Sequence, residues 1–161
     1  MKSLGIRALS GSAALIAAAS LITGCAGDVP MHAAENANDP ACADVIVHLP
    51  DQVAGLDRRT TNAQSTGAWG DPAAVQLQCG IEPSGPTTDS CVEIDGVDWI
   101  ADDSAAPILR FEAYGRSPGL VVFVDTDKAS GTSAIVDLGA VAQLLPQERR
   151  CTSLSDAFDV E

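Results

Sequence analysis

The sequence predicts an α+β fold, a small and mostly antiparallel sheet with one main amphipathic helix on one face and two disulfides holding it. Three observations predict it. Several short runs alternate apolar and polar side chains at the period of a strand, one run near the C-terminus repeats at helical spacing, and an even number of cysteines is spread along the body of the chain.

The elements follow in order. Asp44 to Leu49 reads as a strand because Val45, Ile46 and Val47 are β-branched, and Val75 to Cys79 alternates apolar with polar residues. Val92 and Ile94 alternate with Glu93 and Asp95, and Leu109, Phe111 and Ala113 alternate with Arg110 and Glu112. Leu120 to Val124 is a continuous apolar run, expected to pair with the 109–113 strand across the turn Gly115 to Gly119. Ser133 is the expected helix N-cap, Ile135, Leu138, Val141, Ala142 and Leu145 form the apolar stripe, and Pro146 ends the pattern.

The N-terminus has the order of a secretory signal. Lys2 and Arg7 precede a stretch from Ala8 to Gly27 without a charge, too rich in Ala, Ser and Gly for a permanent span. It closes on Leu21-Ile22-Thr23-Gly24-Cys25, which resembles the lipobox of bacterial lipoproteins. The expectation is therefore a signal peptide over 1–24, a diacylglycerol on Cys25 that anchors the mature protein to the membrane, and a location outside the cytoplasm. Export by the general secretory route is expected, since the charged region holds no Arg-Arg pair.

Residues 26–41 contain two prolines, small polar residues and no apolar period, so they are expected to form a disordered tether. Fully extended, such a tether reaches roughly 50–55 Å, which would hold the domain near the membrane and not on it. The remainder, 42–161, suits a single globular domain. Removing 1–24 takes away Lys2 and Arg7 and no acid, so the net charge of −13 becomes −13 − 2 = −15. A body this acidic is repelled by nucleic acid and by anionic lipid headgroups, and neither is expected as a partner of the domain; an envelope protein or cell-wall component is expected instead.

Setting Cys25 aside, Cys42, Cys79, Cys91 and Cys151 remain, and neither clustered thiolates nor a Cys-x-x-Cys pair marks a metal site. Three pairings are possible. The expected one joins Cys79 to Cys91 across the turn around Pro83, Gly85 and Pro86, and Cys42 to Cys151 across the ends of the domain.

The order of marks along the body, including Leu49-Pro50, Arg58-Arg59, Trp69-Gly70-Asp71-Pro72, Cys79-Gly80, Gly96-Val97-Asp98-Trp99, Tyr114-Gly115-Arg116 and Cys151, resembles the actinobacterial exported-protein family catalogued as domain of unknown function 3515. The Trp-Gly-Asp-Pro and Val-Asp-Trp segments are its more specific pieces, and the resemblance covers roughly residues 42 to 151. It implies a location outside the cytoplasm. It implies no reaction, cofactor or ligand.

Motifs that bear chemistry fail on physical grounds. Gly115-Arg116-Ser117-Pro118-Gly119 matches the G-x-S-x-G pattern of a nucleophile elbow, but Pro118 has no N–H for an oxyanion hole and no histidine follows. His32 falls in the tether and His48 in an apolar strand, so neither joins a cluster. Asp125-Thr126-Asp127 starts like a calcium loop, yet Ala129, Ser130 and Val136 stand where such a loop needs an acceptor, Gly and Glu. Glu93, Asp95, Asp98, Asp102 and Asp103 crowd carboxylates into one segment, read first as a solvated acidic face and second as the acid and base of a small envelope enzyme.

The expected function is thus a lipid-anchored, non-catalytic binding or assembly module of the cell envelope, without a cofactor. The alternatives are the carboxylate-dependent enzyme and a purely structural surface protein. Candidate binding residues are Arg58, Arg59, Trp69, Asp71, Trp99 and Arg116, because Trp and Arg bury much area while offering directional donors. The competing reading makes the indoles core and the arginines neutralisers of neighbouring acids, and exposure decides between them.

Overall fold

The computed structural model describes residues 27–151; the expected signal peptide over 1–24 and Cys25 lie outside the described residues. Eight strands form one antiparallel sheet: β1 (Gln52–Val53), β2 (Leu56–Arg59), β3 (Thr66–Trp69), β4 (Val75–Ile81), β5 (Cys91–Ile94), β6 (Val97–Asp102), β7 (Ile108–Ala113) and β8 (Gly119–Asp125). Their spatial order is β1-β2-β3-β4-β8-β7-β6-β5. The chain therefore meanders from β1 to β4, crosses to the far edge, and meanders back until β8 closes against β4. The predicted hairpin is present, with Phe111 opposite Val122 and Leu109 opposite Val124.

Helices α1 (Pro40–Val47) and α2 (Gly131–Ala142) contribute to one core. Its sheet side is a single set of alternate residues: Val75, Leu77 and Cys79 on β4, Leu120, Val122 and Val124 on β8, Phe111 and Ala113 on β7, Val97 and Trp99 on β6. Ile135, Leu138, Val141, Ala142 and Leu145 meet them, as the helical stripe requires. The cap is Ser130 instead of Ser133: the Ser130 hydroxyl accepts the Ser133 N–H at 3.2 Å.

Three further expectations are corrected. The segment expected as a strand from Asp44 is the helix α1. Asp39 caps it by accepting the Ala41 N–H at 2.9 Å, and Pro40 occupies the first turn, where its missing N–H costs nothing. These start signals, with Cys42 and Val45 buried on one side, outweigh the β-branched run.

The disulfides are Cys42–Cys79 and Cys91–Cys151, with Cα separations of 5.6 Å and 6.0 Å. The expected Cys79–Cys91 bond fails because β4 and β5 are separated in the sheet by β8, β7 and β6. Helix α1 brings Cys42 onto β4, while the C-terminal segment runs back to β5 and the Asp98 carboxylate receives the Cys151 N–H at 3.0 Å.

The segment expected as a free tether is instead strapped to the domain from Gly27 onward. Val29 bridges to Thr61, its N–H donating to Thr60 at 2.8 Å, and Met31 donates to the Asn62 side chain at 2.8 Å. Val29 and Met31 bury themselves over Ala68. Further along, Gln78 donates to the His32 carbonyl at 3.0 Å and Ser65 to the Ala37 carbonyl at 2.6 Å. Small satellite contacts of this kind have no helical or strand period, which is why the composition concealed them.

Candidate functional site

One sheet face is closed by the helices; the other carries the remaining alternate residues in two cross-strand rows. In the first row, Thr66, Gln78, Val121, Glu112 and Ile100 lie side by side. All but Gln78 are buried. The loop between β4 and β5 descends on this row: the Ser84 N–H and hydroxyl each donate to Glu112 at 2.8 Å, and Arg110 pairs with the same carboxylate at 2.8 Å. A carboxylate this deeply buried is tolerable because both of its oxygens are engaged.

The second row runs Ala68, Gln76, Phe123, Arg110, Asp102 and is open in its middle. Val29 and Met31 cover Ala68 at one end. Gln76, Phe123 and Arg110 are half-buried, Asp102 is exposed, and Ile108 at the rim is 40% exposed. Two clefts flank this strip. One, of about 350 Å³, is bounded by Ala73, Gln76, Ile108, Phe123 and Asp125; the other, of about 420 Å³, by Ser84, Asp89, Asp102, Asp103, Arg110 and Glu112.

The acidic cleft offers acceptors and one guanidinium. Hydrogen bonds from Ser104, with its backbone N–H at 2.9 Å, hold the Asp102 carboxyl below its usual range, and Arg110 adds to that. A carboxylate so held is a poor proton donor near neutral pH and a good acceptor for cationic or N–H groups. The carboxylate-rich segment splits up on folding. Glu93 accepts the Gly96 N–H in the β5–β6 turn, Asp98 is buried against Cys151, and only Asp102 and Asp103 reach the cleft. Asp98, Cys91 and Cys151 do lie close together, but both sulfurs belong to one disulfide.

The six candidate binding residues are not brought together. Arg58, Arg59, Trp69 and Asp71 lie on or beside β2 and β3, whereas Trp99 is on β6 and Arg116 in the β7–β8 turn. Both indoles are fully buried, and Trp69 donates to the Pro50 carbonyl at 3.0 Å. Each arginine ties backbone carbonyls: Arg58 those of Leu49 and Ile46, Arg59 those of Gly70 and Gly27, Arg116 those of Leu145 and Gly96. Arg59 also pairs with the exposed Asp71 at 2.9 Å. Burial lowers the Arg116 pKa from its usual value, opposed by the nearby Asp98 charge.

The G-x-S-x-G segment is a hairpin turn. Gly115 has φ +71°, and a Cβ there would come within 2.1 Å of the Arg149 carbonyl oxygen, so the C-terminal segment is packed directly on the glycine. Phe123, Arg110 and Ile108, which line the open strip, were not distinguished by sequence. Phe123 sits inside a continuous apolar run, and only register puts it on the face opposite Val122 and Val124.

These features define a small disulfide-bonded α+β protein built on an eight-stranded antiparallel sheet with one face partly open. The chain belongs to the family described as "Protein of unknown function (DUF3515)", which matches it over residues 8–150. No curated protein and no solved structure matches it. Among the described residues no helix is long and apolar enough to cross a membrane.

Proposed function

We propose that this is a lipid-anchored, extracytoplasmic binding or assembly module of the bacterial cell envelope, non-catalytic, which engages a partner protein or cell-wall component through the open strip of its sheet. The carrying observation is Phe123, half-buried in mid-sheet between an apolar and an acidic cleft, with Ile108 and Arg110 beside it. An aromatic anchor flanked by a guanidinium and a polar rim is the composition of a recognition surface. The lipobox before Cys25 and two disulfides support anchorage and an oxidising compartment. Membranes as a partner enter through the lipid on Cys25.

A photo-crosslinking residue at Phe123, compared with one at Val136 on the exposed side of α2, tests this reading in intact cells. A discrete adduct from position 123 that is absent from position 136 and is abolished by Ile108→Asp supports it. Identical adducts from both positions, or none, sink it. Substrate turnover that disappears with Asp102→Asn and Asp103→Asn would instead establish the carboxylate enzyme.

A further inference from the structure

We infer that the domain sits directly on the lipid headgroups with the Val29–Asn62 pole down, and that the β5–β6 edge with its acids points away from the membrane. The inference rests on Cys25 being the lipidated residue. Its foundation is the length of chain between that residue and the first fixed point of the domain.

Gly27 is already part of the folded body, because its carbonyl accepts from Arg59 at 3.1 Å. Two residues later the Val29 bridge to Thr61 begins, closed by the Asn62 N–H donating to the Val29 carbonyl at 3.3 Å. Two residues of extended chain span at most about 7 Å, so Gly27 cannot stand farther than that from the Cys25 Cα. The polar layer on each side of a bilayer's hydrocarbon core is itself roughly 5–8 Å thick. A lipid-bearing Cys25 therefore leaves no room for a gap: the surface around Gly27, Thr60 and Asn62 touches the headgroups.

Charge agrees with this placement. Beside Gly27 stand Asp28, Arg59 and Asp71, Arg59 pairing with Asp71 at 2.9 Å, and the stretch Thr60 to Gly70 holds no charged residue in a chain whose net charge is −13. Glu93, Asp95, Asp102 and Asp103 belong to β5, β6 and their turns, across the sheet from β2 and β3. With strands about 4.8 Å apart, six steps from β2 to β5 make roughly 29 Å measured along the sheet, which curls so that α2 touches both β1 and β5. An anionic headgroup layer repels the acidic edge more strongly than the anchored pole, where Arg59 offsets Asp71, so tether and field select the same orientation. The open row of Gln76, Phe123 and Arg110 then leads outward from the anchored end.

The test uses the mature, lipid-bearing protein in vesicles of phosphatidylglycerol and phosphatidylcholine that contain a headgroup spin-labelled lipid. A fluorescent amino acid is incorporated at Gln64 or at Asp103, both exposed. The expected result is quenching of the label at position 64 and none at 103, with the quenching at 64 lost when a long Gly-Ser spacer is inserted between Ala26 and Gly27. Equal quenching at both positions, or none at 64 in protein whose mass includes the lipid, overturns the orientation. A mass without lipid on Cys25 overturns the anchoring reading itself, and is told apart from the first failure by that mass.

Discussion

The two faces of the sheet are built from the same strands and differ in almost everything else. The helix-covered face is continuous hydrocarbon, with Trp69, Trp99, Leu77, Leu120 and Leu138 fully buried. The opposite face mixes an ion pair between buried Glu112 and half-buried Arg110, two glutamines and a half-buried phenylalanine, and is covered by irregular chain: residues 29–37 over β3 and β4, and the β4–β5 loop over β7. Hydrocarbon burial is non-directional and strong, so the first face stabilises the fold. The second is held by directional contacts, and the strip those contacts leave open is where recognition is proposed.

The largest expected contrast is between Trp99 and Phe123. Trp99→Ala removes a fully buried indole and is expected to cost about 3–5 kcal/mol, whereas Phe123→Ala gives up only part of the roughly 1.5–3 kcal/mol of a fully buried side chain. Urea denaturation of the two variants measures both, and equal losses would erase the distinction between the faces.

The disulfides come next. Replacing either pair by alanine is expected to lower stability by about 2–5 kcal/mol, and non-reducing peptide maps should recover Cys42 with Cys79 and Cys91 with Cys151. A map that links Cys79 to Cys91 would contradict the strand order itself.

On the open face, Glu112→Gln weakens the clamp on the β4–β5 loop and should cost about 1–3 kcal/mol. Hydrogen exchange should quicken in residues 82–90 and stay unchanged in α2. Quickening in α2 as well would mean that the two faces unfold together.

The smallest effect is at the rim of the apolar cleft, where Asp125 takes a hydrogen bond from Lys128 and its pKa is lowered from the usual value, chiefly by that bond. The folded value is the lower one. Its contribution to stability is therefore complete above the ordinary carboxylate range and disappears as pH falls through the folded value. Lys128→Met should move the Asp125 titration upward in an NMR pH series, and an unmoved titration would discount the pair.

Part of this was legible in the residues alone. Strands β4, β5, β7 and β8, the hairpin and the stripe of α2 follow from period and turn chemistry, because a side chain's direction repeats every second residue in a strand and every third or fourth in a helix. The start of α1 was also legible, in Asp39-Pro40, and was obscured by the β-branched residues after it. The segment Leu21 to Cys25 that resembles a lipobox is local and needs no fold to be read. Disulfide pairing, the strapping of residues 27–39 and the exposure of Phe123 depend on which strands become neighbours. Neighbourhood in this sheet is set by β8 returning to lie beside β4, a contact between distant parts of the chain. Local period carries no information about that return, so only the tertiary structure decided which cysteines pair and which side chains of the outer face stay uncovered.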